Sequence, residues 1–176
     1  RLIRRNMSGR PIKVDGVDAI LGRVLTPSDD VKGCTNSGAV LSYSFWQRQF
    51  AGDPNVLGRP LSLDGHTFTV IGVTPASFYG VEVGRNYDLA VPICSEPLIR
   101  GESSMVALRH GWWIAVIGRL KPGWNLQKAT AQLEAVSPAI MESTLPPVYD
   151  AEGAKHYRGY KLGALPGANG FSQLRR

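Results

Sequence analysis

Three histidines, two cysteines and fourteen acidic side chains are the groups in this 176-residue chain from which acid–base, nucleophilic or metal chemistry would have to come. A general base needs a companion that orients it, and a metal needs several ligands at set spacing. His66 falls on an expected strand beside a turn and reads as a surface or rim residue. His110 and His156 fall in loops, with no Cys, Asp or Glu at ligand spacing. No serine stands in a Gly-x-Ser-x-Gly elbow. Gly118 and Gly123 follow a strand-like run, but no Lys-Ser/Thr pair or Gly-x-Gly-x-x-Gly accompanies them, so a phosphate loop is not indicated. Asp29-Asp30 follows Pro27-Ser28 and reads as a solvated turn, while Asp53, next to Pro54, reads as a helix terminator. Trp46, Trp112, Trp113 and Trp124 could stack on sugars or bases, yet their scatter over a helix, a strand and a turn points to packing. The expectation is therefore a chain that is not an enzyme, with no catalytic residue, metal or cofactor.

The elements that would position these groups are short. Ala39-Val-Leu41 reads as a buried strand, and Ser42 as the N-cap of an amphipathic helix carrying Phe45, Trp46, Gln49 and Phe50 on one side. Asp64-Gly65 between Leu61-Ser-Leu63 and His66 to Val73 predicts a two-residue type I′ hairpin. Counted outward, Leu63 faces His66 and Leu61 faces Phe68; Val70 continues that face, with Ile71 and Val73 on the other. Tyr87 to Pro92 reads as a strand, and Ser95 to Arg109 as a weakly patterned excursion. Trp112 to Leu120 reads as a strand closed by the turn Lys121-Pro-Gly-Trp124. Asn125 then caps a helix with apolar positions Leu126, Ala129, Leu133, Val136 and Ile140, which Pro138 should kink or shorten. Tyr157 to Leu165 reads as a returning strand, giving β-α-β at the C-terminus.

The composition fits this many-element reading. Hydrophobic residues at 43% and charged residues at 19% exclude an intrinsically disordered chain. Twenty glycines and twelve prolines favour short elements joined by turns over a helical bundle. The net charge is +6, but basic residues cluster only in Arg1, Arg4, Arg5 and Arg10 and in Arg175 and Arg176, so nucleic acid is not the expected partner. No run approaches the roughly 18 apolar residues that span a bilayer, and the chain, opening on Arg1 without a leader, is expected to be a piece of a longer or processed protein. Cys34 and Cys94 suit one disulfide in an oxidising compartment; two unrelated thiols are the alternative.

The ordered series carries a resemblance. Val40 to Phe50, Gly52 to Arg59, Leu61 to Gly65, Phe68 to Pro75, Phe78 and Asp88 to Pro92 follow in the order seen in the MacB-like periplasmic core domain of FtsX-like permeases. Leu21-Gly-Arg23, Thr26 to Asp30 and Ile117 to Gly123 extend it, so that it covers roughly Leu21 to Gly170. The wording Ser42-Tyr-Ser-Phe-Trp46 and the two cysteine positions look closest to the duplicated orphan permeases of acidobacteria. The motif positions are Phe45, Trp46, Gly58, Gly65, Gly72, Pro75, Pro92, Gly118, Arg119, Leu120, Pro122 and Gly123, in structural rather than catalytic roles.

The resemblance implies an α+β fold of two small mixed α/β subdomains. Residues 1–39 would hold part of the first half of a porter-like βαβ unit, 40–92 an inserted compact unit, 93–111 a loop excursion and 112–176 the second porter half. It implies the extracytoplasmic, periplasmic side of a bacterial inner-membrane permease. There the domain would relay ATP-driven movement from its own transmembrane helices and a cytoplasmic ABC ATPase to a substrate, a permease dimer partner or a periplasmic protein. A stand-alone periplasmic ligand-binding or adaptor module is the competing reading.

Overall fold

The computed structural model describes residues 17–34, 38–108, 111–168 and 170. It is a mixed α/β structure of the expected α+β class. The described residues up to Val106, with Gly170, form one compact unit, and residues 107–168 form a second.

The first unit is built on a five-stranded sheet. Its strands are β1 (Leu21–Gly22), β2 (Gly38–Leu41), β3 (Pro60–Leu63), β4 (His66–Val73) and β5 (Leu89–Ala90). β4 is central: β2 lies parallel along one edge, while β3 and β1 share the other, both antiparallel, and β5 extends the sheet beyond β2. The parallel β2–β4 pair requires a crossover, which α1 (Tyr43–Phe50) supplies. Ser42 Oγ accepts from Phe45 N–H at 3.1 Å, as the N-cap reading requires. The helix ends because Ala51 and Gly52 turn left-handed, at φ 50° and 71°. Asp53 is thus not the terminator expected of it; it caps the following 3-10 turn, Pro54–Val56, by accepting from Asn55 N–H at 2.9 Å.

The hairpin forms in the expected register, Leu63 opposite His66 and Leu61 opposite Phe68. Asp64 and Gly65 take φ 49° and 84°, the positive pair that a type I′ turn demands. Beyond Val70 the alternation fails. Ala39 pairs with Val70 but Val40 pairs with Gly72, so Ile71 is the extra residue of a bulge. Val73 therefore joins Phe68 and Val70 in the core rather than facing away. That core comprises Ala39, Leu41, Phe45, Trp46, Val56, Leu61, Leu63, Phe68, Val70 and Val73. Gly72 lies so close to Arg23 that an added Cβ would fall 2.0 Å from its carbonyl oxygen.

Residues 93–103, expected as an excursion without pattern, are helical. A 3-10 turn over Ile93–Ser95 runs into α2 (Glu96–Arg100) and a second 3-10 turn, Gly101–Ser103. Pro97 in the first turn presets helical φ, and the buried Glu96 carboxylate accepts from Ser104 Oγ at 2.6 Å and Met105 N–H at 2.9 Å. β5 is confined to two residues of the strand expected over Tyr87–Pro92.

The second unit departs further from the expected β-α-β. Its helices are α3 (Leu126–Thr144) and α4 (Ala151–Arg158). The run 112–120 joins no ladder among the described residues. Its period-two pattern survives as burial, since Trp113 and Ala115 are half-buried while Trp112, Ile114 and Val116 are exposed. The pattern is a strand's, but among the described residues no neighbouring strand pairs with it. The strand expected over Tyr157–Leu165 is likewise absent. Asp150 caps α4 by accepting from Gly153 N–H at 2.8 Å, which draws Tyr157 into the helix. The chain after α4 then runs along α3, where Leu162 N–H donates to Ser137 Oγ at 2.8 Å and Ala164 N–H to Thr130 Oγ1 at 3.3 Å. Pro138 does not shorten α3, which continues six residues past it. Pro138 and Glu134 are both exposed, so the Glu134 carbonyl that loses its N–H donor stands on the solvent side.

Candidate functional site

The residues that tempt chemically are dispersed. His66 is exposed at the hairpin and His156 is exposed with its ring edge-on to Tyr160, 5.1 Å between centroids. His110 lies outside the described residues. Among the described residues, no group of three His, Cys, Asp or Glu stands close enough to hold a metal ion.

Of the tryptophans expected to pack, Trp46 is buried while Trp112 and Trp124 are exposed. Trp46 is buried, and its Nε1–H donates to Asp53 O at 3.0 Å. Trp112 lies 6.2 Å from the buried Tyr157 ring, and Trp124 closes the turn after 120 by donating its N–H to Lys121 O. A cavity of about 120 Å³ is lined by Tyr43, Phe78, Tyr79 and Tyr87 with Ser42 and Ser44. That is well under the roughly 300–1,000 Å³ of small-molecule sites. Burial pushes its Tyr87 phenol up to about 12, against the opposing effect of a 2.6 Å hydrogen bond with Thr74 Oγ1. The phenol stays protonated at neutral pH and supplies no base.

What the structure does build is a tie at the start of the chain's first unit. Asp29, expected in a solvated turn, is 2% exposed. Its carboxylate takes a two-pronged ion pair from Arg23, at 2.6 and 2.7 Å, and accepts from Thr26 N–H and Thr26 Oγ1, both at 2.8 Å. The hydrogen-bonded Arg23 guanidinium, more than the Thr26 groups, holds the carboxyl far below the usual carboxylate range, against the opposing effect of burial. The signal lay in the Thr26-x-x-Asp29 spacing of a capping box. Asp30 Oδ1 accepts from Cys94 N–H at 2.8 Å, and Cys94 joins Cys34 in a disulfide with Cα atoms 5.2 Å apart. Asp30 and Cys34 thereby fasten the loop after β1 to Cys94, in the first turn of the 93–103 helical stretch.

The motif positions serve the backbone. Phe45 and Trp46 bury α1, while Gly58, Gly65 and Gly123 take φ 78°, 84° and 77°. Gly72 admits the close approach of Arg23, Pro75 O accepts from Phe78 N–H, and the buried Pro92 O accepts from Ser95 N–H. Gly118, Arg119, Leu120 and Pro122 lie exposed in the run and turn before α3. None of these side chains converges on another to form a reactive centre.

Comparison with known proteins gives a consistent result. The sequence model of the MacB-like periplasmic core domain matches residues 6–136. Among solved structures, the chain is similar to the periplasmic region of MacB from Actinobacillus actinomycetemcomitans, at 22% identity and a TM-score of 0.46 over 71% of this chain and 50% of that one. It is also similar to a domain from Porphyromonas gingivalis assigned to a permease protein, at 20% identity and a TM-score of 0.41 over 70% of this chain and 52% of the other. The chain thus spans about half the length of the solved regions it matches. No curated protein sequence matches it. No helix among the described residues is long and apolar enough to cross a membrane. With about three quarters of its length under the family match, the chain belongs to the MacB-like periplasmic core domain family, the periplasmic domains of transporter permeases.

Proposed function

We propose that this domain transmits ATP-driven movement of a permease's transmembrane helices to a substrate or partner on the periplasmic side. The observation that carries the reading is the family match over residues 6–136, which runs through the whole sheet of the first unit and into α3 of the second. Such a relay needs a stiff body and points of attachment, not reactive side chains. The β2–β4–β3 framework supplies stiffness, because its strands close on a continuous apolar core. The partners of this reading are the permease's own transmembrane helices and a cytoplasmic ABC ATPase, with a second permease copy or a periplasmic protein beyond. The role asks for no cofactor in this domain.

The test is a distance measurement in the full-length protein with its ATPase, held in lipid nanodiscs. Spin labels placed through Thr67→Cys, on exposed β4, and Glu152→Cys, on exposed α4, report on the two units. ATP turnover is expected to shift the distance distribution between the labels. Distributions that are identical with and without ATP would overturn the relay and favour a stand-alone binding module.

A further inference from the structure

Residues 116–128 of the second unit are exposed throughout, yet many of them are not residues that favour water. Leu120, Trp124 and Leu126 stand 44%, 41% and 37% open to solvent, with Val116 and Ile117 exposed on the approach. Apolar side chains gain by leaving water, so a run of them outside a folded core marks a contact surface. Among them stand Arg119, Lys121 and Lys128, and no acidic residue occurs between Glu102 and Glu134. Among the described residues, neither Arg119 nor Lys121 pairs with a carboxylate. The tip is cationic and apolar at once.

The backbone holds this tip in shape. Trp124 N–H donates to Lys121 O at 3.0 Å, Pro122 fills the second position of the turn, and Gly123 takes φ 77° at the third, the pattern of a type II turn. Asn125 Oδ1 then accepts from Lys128 N–H at 2.8 Å to start α3, and Lys128 Nζ donates back to Gly123 O at 3.5 Å. Turn and cap are set before anything binds, so little chain freedom is lost on contact.

The mixture of residue types selects the occupant. Lysine is depleted from protein–protein interfaces, whose buried centre would strip its charge of water. Single-stranded nucleic acid is met by aromatic platforms, whereas most of the apolar side chains here are aliphatic. A bilayer surface uses both kinds together. Trp sits at headgroup level, Leu reaches the acyl boundary, and Lys and Arg lay their stems along it with their charges at the phosphates.

We propose that residues 116–128 dock the second unit on the surface of an anionic phospholipid bilayer. Leu120, Trp124 and Leu126 insert at the interface, and Arg119, Lys121 and Lys128 meet the headgroup phosphates. The contact lies on the membrane and does not span it. It is independent of the proposed relay, since a stand-alone module could use it equally.

Cosedimentation of the full 176-residue chain with lipid vesicles tests the docking. Vesicles of phosphatidylglycerol and phosphatidylcholine should carry the chain down, vesicles of phosphatidylcholine alone should not, and salt at about 1 M should weaken the binding. Arg119→Gln with Lys121→Gln should weaken it at least about tenfold, the scale of two cations at such a surface. Lys155→Gln with Lys161→Gln removes the same charge from exposed positions elsewhere in the unit and should weaken it by no more than about threefold. Trp124→Ser should also cost about tenfold, through lost insertion. Circular dichroism checks the fold of each variant, and the Arg119/Lys121 pair keeps the test decisive if Trp124→Ser disturbs it. Equal losses from the two charge pairs would show that net charge alone binds the vesicles, and would overturn the site. Binding unchanged by a folded Trp124→Ser would overturn it as well. A chain that ignores the vesicles but self-associates in ultracentrifugation, with Trp124→Ser monomeric, would give the face to a second copy and end the lipid reading.

Discussion

Asp29 shows what one residue contributes when burial and charge coincide. Its carboxylate is sealed from water yet keeps its charge, because Arg23 and Thr26 give it four short hydrogen bonds. Folding lowers this pKa, so the stabilisation is complete above the unfolded value of roughly 3.9 and is lost as pH falls from there towards the depressed folded value. Asp29→Asn keeps the shape but removes the charge, and it should cost about 2 kcal/mol at pH 7, the scale of hydrogen bonds to an ionised group. Urea titrations at pH 7 and pH 3 check this: the wild type should lose stability between them, and the variant should lose measurably less. A parallel pH response in the two proteins would remove Asp29 from the account. Its burial was hidden in the sequence, where Asp29-Asp30 beside a proline has the wording of any exposed turn. Only the Thr26-x-x-Asp29 spacing hinted at a cap, and nothing local announced that Arg23, six residues earlier, would be brought round by the left-handed Gly22. Glycines at two other positions make a sharper test. Gly65 has open space around it but φ 84°, so Gly65→Val meets a backbone penalty of about 1–2 kcal/mol that Ser62→Val, in an extended strand, does not. Gly72→Ala should exceed both, since its Cβ would collide with backbone, and melting temperatures should fall in that order.

Elements were legible where the sequence carried its own stop signals. α1 has its Ser42 cap, and the hairpin has its Asp-Gly turn; both stand where the residues put them. The bulge at Ile71 was not legible, because it arises from pairing with β2 across some thirty residues rather than from the strand itself. The same reason explains the two strands that did not form after residue 111. Alternation in 112–120 records which side chains turn inward, while a strand also needs a partner that no single segment can encode. For Tyr157, the Asp150 cap outweighed the aromatic's strand preference, and side chains of α3 then took the hydrogen bonds of the following segment. Pro138 is the element-scale anomaly that invites measurement. An interior helical proline removes one hydrogen bond and crowds the preceding turn, a cost of up to about 3 kcal/mol. Because its side chain is exposed, Pro138→Ala should restore the Glu134 carbonyl bond without disturbing packing. Stability of the second unit should rise by about 1–3 kcal/mol, read as a later urea midpoint in far-ultraviolet circular dichroism. An unchanged or earlier midpoint would mean that the helix is held at this point by something other than its own backbone.

At the scale of the whole chain, the two units differ in what holds them. The first closes a sheet and a helix on ten buried residues that form one cluster. The second buries chiefly Ala129, Met141, Ala154 and Tyr157, with Ser137 spent on a backbone hydrogen bond, and leaves Val116 92% exposed. Free energies of local opening follow such differences, since a region with few buried apolar contacts opens before one with many. The proposed relay would be served by this asymmetry: a unit that keeps its shape, followed by one that yields at lower cost. The substitution Met141→Ala tests whether the units also open separately. Met141 is fully buried on α3, so its truncation should cost about 2–5 kcal/mol where it sits. In amide exchange, the consequence should be faster exchange confined to α3 and α4, with β2 and β4 unchanged from the wild type. If protection falls equally in both sets of peptides, the chain opens as one cooperative body, and the division of labour between a stiff unit and a yielding one has to be given up.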